Sequence, residues 1–219
     1  MRQEIRIPAE DIARIKANAQ AAEKGGMSSI RARGERMDNL ASDQMIGQLC
    51  EWAASKYLHG HADEYYAKQK WHEDNPYIGD KGYDGESKLG KYDVKGSACA
   101  NADQIQYLNF LVPNNEWNKW HEMHEEDLIY VAAFTLKAHE PSDWPVWLCG
   151  WAWGKDFLTN PPQPRHIPKV HKHPQAKSYV IPMRAKLRLM DELRMGKAAD
   201  SEKTSHIAAV SCGDWWPFD

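Results

Sequence analysis

From Gly79 to Ser97 the chain reads Gly-Asp-Lys-Gly-Tyr-Asp-Gly-Glu-Ser-Lys-Leu-Gly-Lys-Tyr-Asp-Val-Lys-Gly-Ser, and glycine punctuates it often enough to make it a turn between extended segments. Side chains of a strand alternate between its faces. In Asp93-Val94-Lys95 the two charged residues therefore share one face, while Tyr92 and Val94 take the other. A turn through Gly85 to Gly90 lays Asp84 beside Asp93. Two carboxylates a few ångströms apart repel strongly at low effective dielectric unless a divalent cation stands between them. The stretch thus predicts a metal site at Asp84 and Asp93. Asp80 and Glu86 are the competing acids, Asp80 if Gly79-Asp80-Lys81-Gly82 itself forms the turn.

Three other segments supply an expected core. Ser42 or Asp43 caps a helix in which Ile46, Leu49, Cys50, Ala53, Ala54 and Leu58 recur at helical spacing. Glu51 lies at the border of that stripe, placed to project toward a cleft. Leu128 to Leu136 and Val146 to Phe157 read as strands, the second introduced by a turn at Asp143-Trp144-Pro145. Strands and helices in this order predict an α/β fold, a central mixed sheet flanked by helices.

Around the core, Pro8 to Glu23 reads as an amphipathic accessory helix stopped by Gly25-Gly26, and Met27 to Asn39 as a loop or arm carrying Arg31, Arg33 and Arg36. Periodicity leaves Ala102 to Leu111 open between helix and strand. Leu158 to Lys177 reads as a long loop rich in proline and histidine, and Leu187, Leu189, Met190 and Leu193 as a last helix. The spacing of Trp147, Trp151 and Trp153 predicts one strand face packed against a helix. The expected division is an N-terminal helix and basic arm over 1–39, a core over 40–197 and a tail over 198–219.

An aspartate, a short spacer and an Asp-hydrophobic-Lys strand, preceded by a helix bearing a glutamate, resemble the PD-(D/E)xK nuclease superfamily, whose fold is called restriction-endonuclease-like. The resemblance covers roughly residues 40 to 195, and Tyr83 stands where the motif's name has proline. It implies a metal-dependent nuclease that hydrolyses DNA phosphodiester bonds. Asp84, Asp93 and the carbonyl of Val94 would be ligands of Mg²⁺ or Mn²⁺, Glu51 an accessory or second-metal acid, and Lys95 the residue that orients or deprotonates the attacking water. Ser97 and Gln104 are within the polar residues that such a site could turn toward phosphate. A compact chain of this kind fits a phage, mobile-element or DNA-processing setting, in the cytoplasm or the host cytoplasm, and leaves a homodimer open. A second reading is a DNA-binding or regulatory protein that keeps the fold without cleaving.

The 219 residues suffice for one substantial core, and a net charge of −3 excludes a globally basic binder. DNA contacts must then come from local cations: Arg31, Arg33 and Arg36, or the basic segment from Arg165 to Lys197, with Lys169, Lys172 and Lys177 at its centre. Cys50, Cys99, Cys149 and Cys212 form no C-x-x-C pair, which argues against a zinc ribbon or a disulfide framework. The histidines, among them His121 and His124, lack the i, i+4 spacing of a zinc helix. No apolar run is long enough to span a bilayer. The acidic-aromatic tail Asp214 to Asp219 either packs on its own fold or recruits a protein partner.

Overall fold

Every residue from Ile129 to Thr135 is buried, as a strand covered on both faces must be, and the fold is organised around that strand. The computed structural model describes residues 2–24, 37–74, 82–113, 128–137, 143–154, 156, 166, 178–183 and 187–197. In chain order the elements are β1 (Gln3–Pro8), α1 (Ala9–Lys24), α2 (Met37–His59), α3 (Asp63–Asp74), β2 (Gly85–Ser87), β3 (Gly90–Cys99), a 3₁₀ turn (Ala102–Tyr107), β4 (Asn109–Pro113), β5 (Ile129–Leu136), β6 (Asp143–Trp153), β7 (Ser178–Pro182) and α4 (Met190–Met195). Five strands form one mixed sheet in the order β1-β6-β5-β3-β2, with β3 and β5 parallel and the other neighbours antiparallel. β4 and β7 form a separate antiparallel pair. The protein is an α/β fold with a mixed sheet flanked by helices.

The helices gather on one face. Ile12 and Ile15 of α1, Leu49, Cys50 and Ala53 of α2, Tyr65 of α3 and Leu193 of α4 share a core with Tyr92, Val94, Val131, Val146 and Trp151 of the sheet. On the opposite face Phe110 and Val112 of β4 pack with Tyr130, Ala132 and Ala152.

Several sequence expectations need correction. The N-terminal segment begins with a strand, since Gln3–Pro8 pairs with β6 from Gln3↔Leu148 to Pro8↔Asp143, and the helix starts only at Ala9. α2 begins at Met37 and not at a cap on Ser42 or Asp43, because no glycine or proline interrupts the residues before Ile46. The open segment after β3 is both things in turn, a 3₁₀ turn and then β4. Asp143-Trp144-Pro145 belongs to β6 and is no turn. Proline is tolerated there because the β5 ladder ends at Val146, and the Pro145 carbonyl takes its donor from the Thr135 hydroxyl at 2.7 Å.

Trp151 and Trp153 share the helical face as expected, but Trp147 does not. Ala132 pairs with Gly150 and Ala133 with Leu148, so Cys149 is an extra residue, a bulge that reverses the alternation. Gly150 supports it with φ +147. Trp144 and Trp151 consequently lie in the helical core, and Trp147 packs on the other face with Cys99, Ile105 and Phe134.

One close approach fixes α2 against the sheet. A Cβ on Gly96 would stand 2.9 Å from Cys50 Sγ and 3.4 Å from the Ile46 carbonyl oxygen, so only glycine lets the helix lie this near β3. Gly96→Val should lower stability by about 1–3 kcal/mol through overpacking. Urea midpoints measure it, and a variant as stable as the wild type would refute the tight contact.

Candidate metal centre

Asp84 immediately precedes β2, at the open end of the hairpin and opposite the turn between Ser87 and Gly90. Its N–H donates to the Tyr92 carbonyl at 2.8 Å, and the register Gly85↔Tyr92, Ser87↔Gly90 places it beside Asp93, as the glycine spacing predicts. Asp84 Oδ2 accepts from the Val94 N–H at 2.6 Å. A strand residue turns its N–H and C=O to the same side, so the Val94 carbonyl faces that edge too. Asp93 lies opposite Tyr130 of β5, and its Oδ2 is 2.5 Å from Lys95 Nζ, two residues along the same face. Lys95 Nζ also stands 5.9 Å from the centre of the Tyr130 ring.

Glu51 reaches this edge from α2. It does so through a residue that the sequence pattern does not single out: Lys68 of α3, whose ammonium is 3.1 Å from Glu51 Oε2 and bonds Asp84 Oδ1. The sequence carries a signal for α3, because Asp63 and Glu64 lie in its first turn after Gly60. For Lys68 itself the signal misleads. Glu64 and Lys68 are spaced i, i+4, the pattern of an exposed helical ion pair, yet only 14% of the Lys68 side chain is exposed.

The other candidates divide plainly. Glu86 is exposed on β2, with its N–H donating to Glu64 Oε2 at 3.3 Å, and Gln104 is exposed in the 3₁₀ turn. Ser97 is half-buried, one step beyond Lys95 on its face of β3. His59 lies 3.0 Å from Glu64 and His61 3.3 Å from Asp63. Asp80, Arg31, Arg33, Arg36, Lys169, Lys172, Lys177, His121, His124 and the tail Asp214 to Asp219 lie outside the described residues. Among the described residues, no three His, Cys, Asp or Glu side chains are gathered closely enough to hold a metal ion as they stand. Asp84 Oδ1, Glu51 Oε2 and Asp93 Oδ2 are turned instead to the lysine ammonium groups.

Electrostatics distinguish the two aspartates. Asp84 and Asp93 expose only 7% and 17% of their side chains. Desolvation drives the Asp84 carboxyl upward, but Lys68, the Val94 N–H and Lys95 together outweigh it and hold that group below the usual range. For Asp93 desolvation wins. Lys95 opposes it, the neighbouring Asp84 charge adds to it, and the Asp93 carboxyl is pushed up to about 6. Glu51, Asp84 and Asp93 set three carboxylates against two ammonium groups, so the cluster retains negative charge when all are ionised. Its oxygens are hard donors of the kind that suit Mg²⁺ or Mn²⁺, and the donor set fits such an ion chemically.

No family model matches the chain, and no curated protein or solved structure matches it. No helix among the described residues is long and apolar enough to cross a membrane.

The two aspartates predict opposite pH dependences. Asp84, with its folded-state value depressed, contributes stability that is present above about pH 4 and lost as pH falls further. Asp93 binds its proton more tightly when folded, so its contribution is complete below about pH 4 and is lost as pH rises through about 6. Without metal ions, Asp93→Asn should therefore gain about 1–3 kcal/mol on the wild type between pH 4.5 and pH 7.5. Urea titrations across that range check it. A constant difference would mean that Asp93 titrates normally.

Proposed function

We propose that the chain is a metal-dependent nuclease that hydrolyses DNA phosphodiester bonds, with a core of the restriction-endonuclease-like kind. The observation that carries this reading is the joining of Asp84 and Asp93 at one end of the β2–β3 hairpin, with Lys95 held against Asp93. Asp84, Asp93 and the Val94 carbonyl would hold a Mg²⁺ or Mn²⁺ ion, and Glu51 is the accessory acid, joined to them through Lys68. When bound, such an ion supplies a Lewis acid that polarises a phosphodiester and acidifies a water.

The chain's own groups do the rest. In the hydrolysis, water oxygen bonds to phosphorus, the bond from phosphorus to the leaving oxygen breaks, and that oxygen receives a proton. Lys95 stands over the Asp93 side of the edge with a compact positive charge, suited to orient the water and to offset negative charge on the phosphoryl oxygens. Arg31, Arg33 and Arg36, or the segment around Lys169, Lys172 and Lys177, supply the contacts to the DNA backbone that a chain of net charge −3 needs from local cations.

Asp84→Ala and Asp93→Ala should each abolish cleavage of DNA in Mg²⁺ or Mn²⁺ and leave DNA binding in place. Lys95→Ala should lower the rate by about two to four orders of magnitude with little change in metal binding. Gel assays with linear, circular and branched DNA provide the readout. DNA that is bound but never cut by the wild type would favour the non-cleaving reading, and full activity in Asp84→Ala would refute the site.

Neutralising Lys169, Lys172 and Lys177 together should weaken binding to every sequence and flatten the plot of log affinity against log salt by roughly one unit for each phosphate no longer neutralised. An unchanged slope would assign the backbone contacts to Arg31, Arg33 and Arg36.

A further inference from the structure

Lys68 is the one member of the cluster to which the nuclease reading assigns no task, and its setting is tightly constrained. α2 and α3 are matched rung for rung. Tyr65 Oη donates to Gln48 Oε1 at 2.9 Å, and one turn further along each helix Lys68 Nζ meets Glu51 Oε2 at 3.1 Å. The first rung is buried on both sides, with Tyr65 1% and Gln48 5% exposed, so α3 cannot turn about its axis without losing it. Trp52 Nε1 donates to the Tyr66 hydroxyl at 3.2 Å and ties the same two helices again. The same ammonium of Lys68 bonds Asp84 Oδ1 across the gap to the sheet. The hydroxyl of Tyr92, a residue 1% exposed, lies in the field of Glu64, Asp84, Glu51 and Lys68, and it too is sealed from water.

We propose that Lys68 is the built-in counter-cation of this centre, standing between Glu51 and Asp84 where a second divalent ion would otherwise bind, so that the centre loads a single ion at Asp84 and Asp93. The inference rests on the metal reading above and sharpens it by making Glu51 the partner of Lys68 and not a ligand. An ammonium group is a compact point charge, and a tethered one needs no binding equilibrium to stay in place. Two carboxylates facing each other across that gap without it would repel at low dielectric and would recruit a divalent cation. Lys68 is thus a positioning residue. It holds Asp84 by one oxygen while the Val94 N–H holds the other, which fixes the orientation of that carboxylate.

The test counts Mn²⁺ ions bound to the purified full chain, by electron paramagnetic resonance of the free ion during titration. The expected counts are one per chain for the wild type, two for Lys68→Met, which keeps the stem and removes the charge, and one for Lys68→Arg, which restores it. Two ions on the wild type, or one on Lys68→Met, would overturn the proposal and leave the nuclease reading standing. No ion on the wild type would remove the metal reading and this proposal with it. If Lys68→Met fails to fold, Lys68→Gln, which keeps a polar head in the gap without the charge, is counted in its place against the same expectation of two ions.

Discussion

A carboxylate withdrawn from water must be given cations or N–H donors, and Asp84 takes both: the Val94 N–H on one oxygen and the Lys68 ammonium on the other. That double anchorage joins three elements that are distant in the chain. It clamps the end of the β2–β3 hairpin, draws α3 onto the sheet edge, and through Lys68 connects to Glu51 on α2. Removing Asp84 would leave an ammonium in a confined place without one of its partners and an N–H without an acceptor. The hairpin and the helical layer are therefore held in register by the same group that the proposed chemistry needs.

The surroundings are rigid where the cluster needs rigidity. β5 is buried on both faces and carries β3 in parallel register, so Asp93 and Lys95 stand on the second strand of an interior ladder. Gly96 lets α2 approach closely, which brings Glu51 to the border of the same edge. Against this firm frame the cluster itself is held at a cost. Asp93 is pushed up to about 6 by desolvation even with Lys95 at 2.5 Å, so near neutral pH its ionised form lowers the stability of the folded chain. Sites that bind or transform a ligand commonly carry such a local cost, and a divalent cation would offset it.

Residues whose roles are local were the legible ones. Asp84 beside Asp93, the strand run from Ile129, and the Leu49-Cys50-Ala53 stripe followed from glycine positions, apolar continuity and helical spacing. What escaped depends on contacts between distant segments. β1 is short and half of its residues are exposed, and it is a strand only because β6 lies alongside. The tryptophan faces turned on a single extra residue at Cys149, which no periodicity reveals. Lys68 carries the spacing of a surface ion pair and becomes an interior cation only once α3 has docked, by the Tyr65–Gln48 bond, against α2.

The central claim is that the Asp84–Asp93 edge is a divalent-cation site. Anomalous diffraction from crystals soaked in Mn²⁺ and collected at the manganese edge tests it without reference to any substrate. The account predicts a peak bounded by the carboxylates of Asp84 and Asp93. Density without such a peak, or a peak lying elsewhere on the molecule, would contradict it.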